Sequence, residues 1–88
     1  MTNYAKLGEY LALKRQAEDA ATKRSRILND VIRELHRLSE CYDEPLDLTL
    51  VRRELESAVS ADKEMRAAVK QANDAAPLCG EPEIKCLS

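Results

Sequence analysis

The side chains that could ligate a metal or act as nucleophiles are few: one histidine, His36, and three cysteines, Cys41, Cys79 and Cys86. Together they are the ligand types of a Cys3His structural zinc site. Their spacing argues against one. His36 and Cys41 precede a turn signal, whereas Cys79 and Cys86 follow a segment that reads as a helix of roughly 29 residues, about 43 Å long. No CxxC pair occurs. Nucleophilic catalysis wants a base beside an activated Ser or Cys, and His36 and Cys41, five residues apart on a helix, diverge by about 140°. There is no glycine-rich phosphate loop, GxSxG or HExxH. The expectation is a protein that is not an enzyme, with no catalytic residue, no metal, no cofactor and no small-molecule substrate.

The elements that would position any surface are helical. The chain has 88 residues, 34% charged and 44% apolar, with two Gly, three Pro and neither Phe nor Trp. That is one small ordered unit, short of the tight turns an all-β chain needs. A first helix is predicted over about 3–41, with Gly8 and Thr22–Arg26 as the places where it would break. Leu7, Leu11, Ala21, Ser25, Leu28, Ile32, Leu35 and Tyr42 follow helical steps, interrupted by Lys14 and Glu18. Around Ile27–Leu38 the apolar face is wider than a two-helix seam requires.

Asp43-Glu44-Pro45-Leu46-Asp47 reads as a turn. Pro45 disfavours helix at Glu44, Asp47 can cap the next helix, and Leu46 and Val51 have the spacing of a hydrophobic staple. A second helix is predicted over about 48–76, ended by Pro77. Its stripe is Leu48, Val51, Leu55, Ala58, Asp62, Met65, Val69, Ala72 and Ala76. Asp62 interrupts it and should pair with Arg24, Arg26 or Lys23. The short connection makes the helices antiparallel, with Leu35 facing Leu55, Ile32 facing Ala58 and Ala21 facing Val69. Leu28, Ile32, Leu35, Leu55, Val59, Met65 and Val69 are the predicted core.

The fold class is thus all-α, an antiparallel two-helix hairpin over residues 1–76. A Pro- and Gly-containing extended tail follows over 77–88, from which Leu78, Ile84 and Leu87 can pack back. A hairpin buries one stripe per helix, so dimerisation into a four-helix bundle is expected.

Net charge is −2 and the isoelectric point about 5.4, which gives no bulk field for nucleic acid or anionic lipid. The charge is uneven: residues 1–42 hold eight Lys/Arg against six Asp/Glu, residues 43–88 six against ten. No run of about 18 apolar residues exists to span a membrane. The N-terminus lacks a secretory pattern, and Cys86-Leu87-Ser88 is one residue short of a prenylation box. A reduced cytoplasmic setting and no membrane contact are expected.

The leading functional expectation is a non-enzymatic interaction module: an adaptor, an assembly factor or a small inhibitor of a partner protein. It would bind another protein or itself, as a homodimer, through Ile27, Val31, Leu35 and Leu38. The alternative is a small dimeric nucleic-acid-binding regulator. Its phosphate contacts would be Lys23, Arg26, Arg33 and Arg37, which fall along one side of the first helix. Glu18, Asp19, Asp30 and Glu34 interleave with them, and no aromatic is present there for base stacking.

Overall fold

The computed structural model describes residues 4–85. Two helices, α1 (Tyr4–Glu40) and α2 (Thr49–Cys79), lie antiparallel in a rod of 67 × 16 × 14 Å. α1 runs unbroken through both Gly8 and Thr22–Arg26. It lies against α2 along its length, and Thr22 Oγ1 donates back to Glu18 O at 3.0 Å without leaving the helix.

The connector begins at Cys41 and is exposed except at Leu48. Asp47 Oδ1 accepts from the Thr49 N–H at 2.9 Å and the Thr49 hydroxyl at 2.7 Å. These bonds hold its carboxyl below the usual Asp range, the hydroxyl contributing most. The carboxylate thus satisfies a donor at the start of α2 from one residue before the expected place, since the N-cap is Leu48 and makes no side-chain cap bond. The staple does not form: Leu46 remains exposed, and Leu48 turns partly inward in its place.

On α1 the seam lies one residue before the stripe expected from the sequence, whereas on α2 Val51, Ala58, Met65, Ala72 and Ala76 of the expected stripe are buried and its alternate positions Asp62 and Val69 give way to Ala61 and Ala68. On α1 the buried positions are Tyr10, Ala17, Ala20, Ile27 and Val31. On α2 they are Val51, Ala58, Ala61, Met65, Ala68, Ala72, Ala75, Ala76 and Cys79. Of the predicted core, Met65 is buried and Leu28 and Val69 are half-buried, while Ile32, Leu35, Leu55 and Val59 are exposed. The physical reason lies mid-helix. The predicted stripe on α1 passes through Lys14, Glu18 and Ser25, and that on α2 through Asp62. Centring the seam there would strip charges of water, whereas one residue over the same turns offer Ala17, Ala20, Ala61 and Ala68.

The core divides into three clusters. Ile27, Val31, Val51 and Ala58 pack near the turn, with Leu28 and Leu38 against them. Ala17, Ala20, Met65 and Ala68 form the middle, with Ala21 and Val69 alongside. Tyr10, Ala72, Ala75, Ala76 and Cys79 close the open end, against which Leu7, Leu13 and Ile84 pack. Among the described residues Met65 is the one large side chain buried completely, which contributes about 1.5–3 kcal/mol relative to exposure.

α2 does not stop at Ala76. It carries Pro77 inside and runs three residues further, to Cys79. Pro77 has no N–H for the carbonyl four residues earlier, but Ala75, Ala76 and Cys79 are buried and keep the last turn in place. Gly80, at φ +75°, ends the helix, and the Glu81 N–H reaches Ala76 O at 3.0 Å in a Schellman-type closure. Residues 81–85 then fold back rather than trail away. The predicted contact of Leu87 and the position of Cys86 lie outside the described residues.

Candidate functional site

Two sets of apolar residues compete for the face of α1. Val31, Ile27 and half of Leu38 go into the contact with α2. That leaves Leu28 half-buried, Ile32 62% exposed and Leu35 45% exposed, which share one side of α1 by helical spacing. On α2, Leu55 is 41% and Val59 53% exposed. In an antiparallel pair the position following a seam residue points to the same side on both helices, so these five residues form one strip beside the seam. A shallow groove lined by Leu28, Leu55, Ala58, Val59, Arg24 and Asp62 runs along it. Half-buried Ala21 and Val69 continue the strip toward exposed Leu11.

The sequence-derived interface candidates therefore separate. Ile27 and Val31 are buried inside the hairpin, Leu38 is half-buried against the same cluster, and Leu35 faces solvent. Ile32, Leu55 and Val59, read from sequence as core, lie beside Leu35 on the open strip. Their step-three and step-four spacing was the available signal. It marks an apolar stripe without saying which of two adjacent stripes meets the partner helix.

A charged cluster interrupts the strip. Asp62 Oδ2 accepts from Arg66 Nε at 2.9 Å, and Asp62 Oδ1 lies 3.4 Å from Arg24 Nε across the seam. The pairing of Asp62 with Arg24 agrees with expectation. Oδ1 is shielded from water and accepts no hydrogen bond among the described residues, so the Arg24 contact is electrostatic attraction without bond geometry. The opposite side of the seam is acidic. There Asp30, Glu34 and Glu54 surround the edges of Val31, Leu50 and Val51.

The four basic candidates do not share one surface feature. Arg26 and Arg33 line a shallow depression with Thr22, Ser25 and Asn29, whereas Lys23 lies by Asp19 and Glu64. Arg33 pairs with Asp30 one turn earlier. Arg37 grips Glu34 with two bonds, Nη2 to Oε1 at 2.7 Å and Nε to Oε2 at 3.3 Å. The bond from Arg37 holds the Glu34 carboxyl below its ordinary range and raises the guanidinium in return.

His36 is exposed, 3.3 Å from Glu40 Oε1, and Cys41 is exposed beside the turn. Cys79 is buried at the other end of the rod, with its thiol directed at Ala76 O (3.4 Å) and Ala75 O (3.6 Å). Among the described residues no three His, Cys, Asp or Glu side chains are grouped to hold a metal ion, and no helix is long and apolar enough to cross a membrane. No protein-family model, curated protein or solved structure matches this chain.

Proposed function

We propose that the protein is a helical interaction module without catalytic activity, and that its strip of Leu28, Ile32, Leu35, Leu55 and Val59 docks on the same strip of a second copy to make a four-helix bundle. The observation that carries this reading is the strip itself, with four large aliphatic side chains exposed together on one face. Two-fold pairing of one patch with itself is the commonest way for such a surface to be covered.

The basic face offers less. Two of its four cations, Arg33 and Arg37, are already paired with carboxylates on their own helix, and Lys23 and Arg26 belong to different depressions.

Light scattering coupled to size exclusion tests the reading. At roughly 0.1 mM the wild-type chain should run at twice its 9.9 kDa mass. Ile32→Asp and Leu55→Asp, both at exposed positions, should run at the single mass with helical circular dichroism retained. A wild-type chain that stays monomeric at that concentration overturns the dimer.

A further inference from the structure

The open end of the rod carries a site of another kind, independent of the strip. Residues after Gly80 turn back over the end of the hairpin, and the hairpin grips them by the main chain. The Asn73 side-chain amide pairs with both backbone groups of Ile84: Nδ2 donates to Ile84 O at 3.0 Å, and Oδ1 accepts from the Ile84 N–H at 2.6 Å. The Tyr10 hydroxyl, from the other helix, donates to Pro82 O at 3.0 Å. The Ile84 side chain packs on the cluster of Tyr10, Ala72, Ala75, Ala76 and Cys79.

We infer that this end of the hairpin is a receptor for an extended peptide, and that the chain's own residues 82–84 occupy it in cis as a built-in competitor. The three hydrogen bonds all go to backbone groups, two at one residue and one at the residue two before it. Alternate residues of an extended strand point to the same side, so a receptor gripping residues two apart reads an extended backbone. Specificity comes from the one side chain it buries, which here is aliphatic. The ligand class is therefore an extended segment with a β-branched or other aliphatic residue two places after a proline. Backbone bonds supplying affinity and a pocket supplying specificity is a general way of recognising peptides.

The strap is built to leave. Among the described residues three hydrogen bonds and one side chain hold residues 82–84, a small set for a segment that opens locally while the helices stay folded. Gly80 supplies the hinge, at φ +75° with open space around it. While tethered, the strap competes at an effective concentration on the order of millimolar, so an incoming peptide binds the intact chain weakly unless the strap is displaced.

The test uses the full chain with its strap disabled. Ile84→Asp should bind a fluorescent peptide of residues 80–85 saturably, at least about tenfold more tightly than the wild-type chain does. Binding should vanish when Asn73→Ala is added, or when the peptide carries Asp in place of its Ile. No binding to Ile84→Asp at millimolar peptide, or equal binding with and without Asn73, overturns the proposal.

A second measurement serves if Ile84→Asp loses its helical signal. Alkylation of buried Cys79 in the folded chain, referenced to exposed Cys41 in the same sample, should speed up about tenfold or more in Asn73→Ala. An unchanged rate in Asn73→Ala overturns the strap and the receptor with it.

Discussion

Val31 and Ile32 are consecutive residues of α1 with opposite environments: Val31 is 5% exposed and packs with Val51 and Ala58, whereas Ile32 is 62% exposed. Both are β-branched and aliphatic, so side-chain chemistry does not distinguish them. The 100° between them on the helix does. One belongs to the seam that folds the hairpin and the other to the strip that the folded hairpin presents.

Paired substitutions should separate those roles. Val31→Ala removes two buried methyl-sized groups and leaves a cavity, for a loss of about 2 kcal/mol. Ile32→Ser at a concentration where the chain is monomeric should change stability by about 0.5 kcal/mol or less. Urea titrations followed by circular dichroism measure both. The thermal midpoint of the wild type should also rise with protein concentration, as expected when folding is linked to association, and Ile32→Ser should flatten that dependence. Equal destabilisation by the two substitutions in the dilute chain would place Ile32 in the seam.

The alanines make a different prediction. Ala17 and Ala72 have no exposed surface, and the middle and open-end clusters are built largely from alanine. Small residues on both helices let the axes approach toward the short end of the usual 8–10 Å range. Ala72→Leu should therefore destabilise by about 1–3 kcal/mol through overpacking, despite the gain in apolar volume. A raised urea midpoint would mean the seam has room there and the helices are not closely apposed.

Much of the architecture was legible because several local cues agreed. Proline-poor helical runs, the Pro45 turn, the Asp47 carboxylate before α2 and the short connector all pointed to an antiparallel hairpin. Asp62 was readable as a charge needing a cation from the facing helix, Arg24, Arg26 or Lys23, and Arg24 is the one it meets. Register was legible in part on α2, where Val51, Ala58, Met65, Ala72 and Ala76 are buried as their spacing suggested, and not on α1. On α1 large aliphatic residues lie on two neighbouring stripes, Ile27 and Leu38 on the one that meets α2 and Ile32 and Leu35 on the one that stays outside. Alanine decides the seam through close approach, a property of the pair of helices that neither sequence pattern displays alone. Pro77 misled for a related reason, since burial of Ala76 and Cys79 outweighs one missing hydrogen bond. The Asn73–Ile84 clamp joins residues 11 apart across a turn, and an asparagine on a helix gives no sign of which backbone it will hold.

Acid should weaken the turn end first. Asp47, hydrogen-bonded by Thr49, and Glu34, hydrogen-bonded by Arg37, both have folded-state values below their ordinary ones. A carboxyl shifted downward stabilises the fold when ionised. Its contribution is complete above the unfolded value, about 4 for these residues, and is lost as pH falls through the lower folded value. The thermal midpoint should therefore decline as pH drops below about 4, with Asp47→Asn and Glu34→Gln together making the decline shallower. Both groups lie at the surface, so added salt should shrink the part due to Glu34 and Arg37. An unchanged slope in the double variant would show that neither interaction is formed in solution.

The two glycines should respond oppositely to the same substitution. Gly8 lies inside α1, exposed, with nothing within 4 Å of where a Cβ would be. Alanine there adapts to helical geometry and restricts the unfolded chain, so Gly8→Ala should stabilise by about 0.5–1 kcal/mol. Gly80 has the same open surroundings but a φ of +75°. In that left-handed conformation a Cβ meets its own backbone, and Gly80→Ala should destabilise by about 1–2 kcal/mol without any clash with a neighbour. Its effect should also be local. If the loss falls on the turn that launches residues 81–85, Cys79 alkylation in the folded chain should rise in Gly80→Ala and stay unchanged in Gly8→Ala. A Gly80→Ala chain as stable as wild type would mean the helix ends in some other conformation, and the return of the chain toward Asn73 would lose its geometric basis.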